Sequence, residues 1–85
     1  MSAHTSQLIT ALELDRDGDW DGAHNIVQRL DAMDANWIHA YLHRKEGVMW
    51  NAHYWYRRVD KAVPDYSLAQ EWRELYDFVI RERKV

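Results

Sequence analysis

The sequence predicts an all-α fold of about five antiparallel helices, on three observations. Apolar residues recur at helical spacing along most of the 85 residues. No run alternates with period two for long enough to compete as a strand. Three glycines and one proline are too few for many short strands joined by tight turns.

The helices follow in order. Leu8, Ile9, Ala11 and Leu12 repeat on one face of a first helix over about 5–16, with Thr5 or Ser6 as N-cap. Asp17-Gly18-Asp19 interrupts it. A second helix, about 20–31, carries Ala23, Ile26, Val27 and Leu30 inward. Asp34 is the expected cap of a third, about 35–46, with Ile38, Tyr41 and Leu42 inside and Gly47 ending it as a left-handed C′ residue. The fourth, about 49–62, turns Ala52, Trp55, Tyr56 and Val59 inward and stops before Pro64. Ser67 and Gln70 form a capping box for a fifth, about 67–82, with Leu68, Trp72, Leu75, Tyr76 and Val79 inside. Connectors this short make neighbouring helices antiparallel. A chain of this length is read as one domain, 1–85, near the lower size at which a core holds without staples.

The stretch from Gly18 to Asp31 aligns with Gly47 to Asp60 at an offset of 29 residues, identical at five of fourteen positions. The matches are Gly18/Gly47, Ala23/Ala52, His24/His53, Arg29/Arg58 and Asp31/Asp60. A glycine ending one helix and an alanine letting the next cross closely suit a helical hairpin. Gly18-Asp19…Ala23 and Gly47…Ala52-His-Tyr-Trp-Tyr-Arg-Arg resemble tetratricopeptide units, the second being similar to the SEL-like subclass. The likeness covers roughly residues 8–80, with a repeat shorter than is usual and fewer loop glycines. It implies tetratricopeptide-like hairpins and a protein or peptide partner on a concave face. The segment WIHAYLHRKEG is also similar to one in a family of small uncharacterised bacterial proteins, which implies no activity.

Composition bounds the function. With no cysteine, neither a disulfide framework nor a thiolate metal site is available. No apolar run is long enough for a membrane span and the N-terminus lacks a secretory pattern, so a cytoplasmic setting and no membrane partner are expected. The net charge of −3 divides unevenly. Residues 1–42 carry seven acids against two bases, and residues 43–85 carry seven against nine.

Three patterns touch on chemistry. Asp17-Gly-Asp19-Trp-Asp21-Gly22 opens like a calcium-binding EF-hand loop, but its twelfth position is Gln28 instead of glutamate. Capping of the second helix accounts for the same acids. His39 and His43 stand four apart with Glu46 beyond, a spacing that places two imidazoles and a carboxylate on one face. His-Ala-Tyr-Leu-His supplies no general base, and His24, matched with His53 in the repeat, reads as a packing or capping residue. No resident metal or other cofactor is therefore expected, with Asp17, Asp19, Asp21, His39 and His43 as the candidates for an alternative, metal-binding reading. Tyr54-Trp-Tyr-Arg-Arg58 interleaves aromatics with bases, yet Trp55 and Tyr56 are needed inside and the chain is acidic, so nucleic acid is not expected.

No nucleophile motif, phosphate loop or cofactor fingerprint occurs, which points away from an enzyme. The expectation is a scaffold or adaptor for a protein or peptide, a second copy of the chain included. With Ala52, Trp55, Tyr56 and Val59 inside, helical geometry turns Trp50, Tyr54, Arg57 and Lys61 outward, with Trp37 beside them on the third helix.

Overall fold

A computed structural model describes residues 2–82. It is all-helical: α1 (Ala3–Arg16), α2 (Trp20–Val27), α3 (Met33–Glu46), α4 (Met49–Arg58) and α5 (Leu68–Glu82), with no strand among the described residues. The last residues, 83–85, lie outside them. α1 pairs with α2 and α3 with α4 as two hairpins, joined where α2 meets α3. A fifth helix continuing that stack would lie on α4. Instead α5 folds back onto α1 and α3.

The hairpin turns are built as the repeat implies. Gly18 and Gly47 both take left-handed φ, +93° and +89°. At each, the following N–H reaches back five residues, Asp19 to Leu14 O and Val48 to His43 O. These are Schellman closures, which satisfy carbonyls that a helix end leaves free. Ala23 and Ala52 are both fully buried, as a close helix crossing requires.

Other helix ends depart from expectation. Ser2, rather than Thr5 or Ser6, caps α1, its hydroxyl accepting the Thr5 N–H. α2 stops at Val27, where Arg29 and Leu30 make i→i−3 turns. Asp34 is not a cap: α3 begins at Met33, and Asp34 lies buried in its first turn against His4 of α1. α4 ends at Arg58, well before Pro64, because Asp60 adopts φ +56° and Lys61 N–H closes on Tyr56 O. A left-handed aspartate thus does what glycine does at the other two turns. Ser67 caps α5 as expected, accepting from Gln70 N–H.

The core is organised round α3. Every residue from Asp34 to His43 is buried, so this helix has almost no solvent face. Apolar packing comes from Leu8 and Leu12 of α1, Val27 of α2, Tyr56 of α4, and Leu75 and Val79 of α5. Two buried carboxylates tie the layers together. Asp15 accepts from the Tyr41 hydroxyl at 2.8 Å and from Lys45 Nζ at 3.0 Å. Glu71, with no solvent contact, accepts from Trp37 Nε1 (3.1 Å), Arg44 Nη1 (2.9 Å) and the Tyr56 hydroxyl (2.6 Å). Burial first, then the bonded carboxylate, pushes both tyrosine pKa values above the ordinary range.

Two outcomes follow from this packing. Glu71→Ala leaves the Arg44 guanidinium without its acid and should cost about 3–5 kcal/mol in chemical denaturation; a loss below about 1 kcal/mol would mean that the pair does not hold α5. Gly47→Val places a β-branched residue at a left-handed φ and should cost on the order of 1 kcal/mol or more, read as a lower denaturant midpoint.

Candidate functional site

Two features stand apart from the core: the outer side of α4 and a group of imidazoles between α2 and α3. On α4, Ala52 and Tyr56 face inward, which rotates Met49, Trp50 and Tyr54 outward, 40%, 75% and 50% exposed. Arg57 is exposed on the same helix. Arg58 lies over the Tyr54 and Trp55 rings, 5.7 and 5.1 Å from their centres.

Two residues expected on this strip are elsewhere. Trp37 is only 3% exposed. Its helix is enclosed, its indole donates to Glu71, and Phe78 meets its ring edge-on. Lys61 lies beyond the end of α4, past left-handed Asp60, and folds its ammonium over Trp37, 4.1 Å from the ring centre. The outward strip is therefore Met49, Trp50, Tyr54 and Arg57.

The three aspartates divide between local tasks. Asp17 caps the C-terminus of α1 and pairs with Arg16. Asp19 caps α2, accepting from Gly22 N–H at 2.9 Å. Asp21 sits in the first turn of α2, where its charge suits the helix dipole. Gly22 is explained by the same cap, since a Cβ there would run into the Asp19 carboxylate.

The histidines are arranged differently from the sequence expectation. His39 and His43 share one face of α3, and His24 of α2 joins them there, while its repeat counterpart His53 is exposed. One ring nitrogen from each of His24, His39 and His43 lies within 4.8 Å of the others. His24 Nε2 and His39 Nε2 are 3.1 Å apart, so one carries the proton that the other accepts. His43 Nδ1 lies 3.0 Å from Glu46 Oε1. As donor to that carboxylate, Nδ1 keeps the proton and leaves Nε2 with its lone pair. Trp20 stacks on His24 with ring centres 4.9 Å apart, and Trp55 on His39 at 3.9 Å.

Among the described residues, the one buried side-chain polar atom without a hydrogen-bond partner is His39 Nδ1. Leaving such a group unpaired costs about 1–3 kcal/mol. Desolvation, followed by repulsion from His24 and His43, pushes the His39 pKa down to about 3. His24 is lowered too, by burial and then by His43, against the pull of Glu46 and Asp21. The pattern that contained this site was Trp20-x-x-x-His24 facing His39-x-x-x-His43. The alignment of His24 with His53 concealed it.

With this geometry in view, no protein-family model, curated protein or solved structure matches the chain.

The depressed imidazole sets a pH dependence. The unfolded chain protonates His39 below 6.5, whereas the folded chain resists protonation down to about 3. Stability from this group is complete above the unfolded value and falls as pH drops through that window. In metal-free buffer, lowering pH from 6.5 to about 5 should remove roughly 1.5 kcal/mol through His39, the slope approaching 1.36 kcal/mol per unit below 6.5. His24 contributes in the same direction. Urea denaturation across this range should give a shallower slope for His39→Gln; equal slopes would contradict the assignment.

Proposed function

We propose that this chain is a small helical scaffold, working by binding rather than catalysis, that docks a protein partner on the outer side of α4. The observation that carries the reading is Trp50, a large indole left three-quarters exposed beside half-exposed Tyr54. Trp, Tyr and Arg most often dominate interface energies, and all three types meet here. Tetratricopeptide-like hairpins belong to the same reading, with one restriction. The face shared by α1 and α3 is already taken by α5, so α4 offers the free surface.

Arg57 and Arg58 at the end of the strip favour a partner that brings acidic side chains round an apolar contact. The acidic first half of another copy has that character, which makes self-association one outcome of the test. No described helix is long and apolar enough to cross a membrane. A cytoplasmic setting is part of the proposal.

Replacing Trp50 and Tyr54 together by alanine should leave the helical circular dichroism intact and weaken association by at least about 2 kcal/mol. Sedimentation reads the second copy, and affinity capture from native extract followed by titration reads another partner. A double variant that keeps its partner and its oligomeric state would show the strip to be ordinary surface.

A further inference from the structure

We propose that His24, His39 and His43 form a binding site for a divalent transition ion, zinc first, which staples the α1/α2 hairpin to the α3/α4 hairpin. His24 comes from one hairpin and the other two from the next, so an ion held by all three bridges them.

Five observations converge. The three imidazoles offer nitrogens within 4.8 Å of one another. Bonds of about 2.0–2.1 Å to a tetrahedral zinc would place ligand nitrogens about 3.3 Å apart, and the His24–His39 separation is already 3.1 Å. Glu46 orients His43 through Nδ1, the carboxylate–imidazole arrangement that supports metal-ligating histidines. His39, only 5% exposed, turns its Nε2 into the cluster, so the nitrogen it would offer an ion already faces His24. Trp20 and Trp55 fix two of the ring planes by stacking, so little side-chain freedom remains to be lost on binding.

A plain aromatic stack would account for the tryptophans. It does not account for three imidazoles gathered nitrogen to nitrogen, where phenylalanine or leucine would pack without burying polar atoms. The donor set selects the ion class. Neutral imidazole suits zinc, copper, nickel and iron, while calcium and magnesium require oxygen. Zinc imposes no geometric preference of its own and accepts three unequal positions with least rearrangement. Three protein ligands leave the fourth position to water or a small exogenous ligand, with access from the partly exposed His24 side.

The test uses the full chain, stripped with chelator and titrated with zinc. Its melting temperature should rise on the order of 10 °C at a hundredfold excess over the dissociation constant. Calcium should leave it unchanged. His24→Ala, at the least buried of the three positions, should abolish the rise, whereas His53→Ala should retain it. Because variants at His39 or His43 could weaken the fold, cobalt provides a second reading at room temperature. The parent should develop the visible absorption of low-coordinate cobalt, and His43→Gln, with helix content verified, should lose it. Absence of both the melting shift and the cobalt band would overturn the proposal. So would a zinc shift that survives His24→Ala or disappears in His53→Ala.

Discussion

A helix with almost no solvent face must find partners for its buried polar side chains inside the protein, and α3 is such a helix. Its buried stretch from Asp34 to His43 is not uniformly apolar. Asp34 meets His4 of α1, Trp37 meets Glu71 of α5, and Tyr41 meets Asp15 of α1. Each bond fixes a neighbouring helix at a particular height along α3. Apolar burial supplies most of the driving force, but it tolerates sliding. The buried acids do not: moved by one turn, Glu71 would lose Trp37, Arg44 and Tyr56 together and be left as an unpaired charge. This requirement also explains why α5 folds back over α1 and α3 instead of extending the stack. Trp72 adds to it by donating to Leu12 O at 2.9 Å.

Against this background His39 is the exception. It lies in the enclosed part of α3, and its Nδ1 has no hydrogen-bond partner. Its ring neighbours are two more imidazoles and the Trp55 indole. The place where the polar accounting of α3 does not close is thus also where metal-ligating side chains gather. Structure and proposed chemistry meet there: the junction of the two hairpins is the junction at which an ion would act.

Much of this was legible in the sequence. The fold class and the number of helices followed from periodicity, and Gly18, Gly47, Ala23 and Ala52 marked the hairpins because each has a single physical reason to be there. The ends of α2 and α4 were not legible. Local turn bonds ended α2, and Asp60 took a left-handed conformation usually signalled by glycine. Periodicity shows that a helix face is buried but not what covers it, so the return of α5 was hidden. A signal was present all the same: Glu71 sits between Leu68 and Leu75 on the apolar stripe, at a core register where a glutamate needs partners. Trp37 was misplaced for the converse reason. An aromatic on a helix enclosed by its neighbours reads like one on a half-exposed helix until those neighbours are known. His24 was obscured by a repeat match that held for the glycine and alanine but not for the histidine's surroundings.

The most direct measurement is nitrogen-15 NMR of the imidazole rings at neutral pH, before and after one equivalent of zinc. Without metal, His39 should be neutral, with its Nδ1 showing no hydrogen bond. With zinc, one nitrogen each of His24, His39 and His43 should shift together, saturating at one ion per chain, while those of His4 and His53 stay in place. Zinc that moves only His4 or His53, or a His39 ring protonated at neutral pH, would contradict the account.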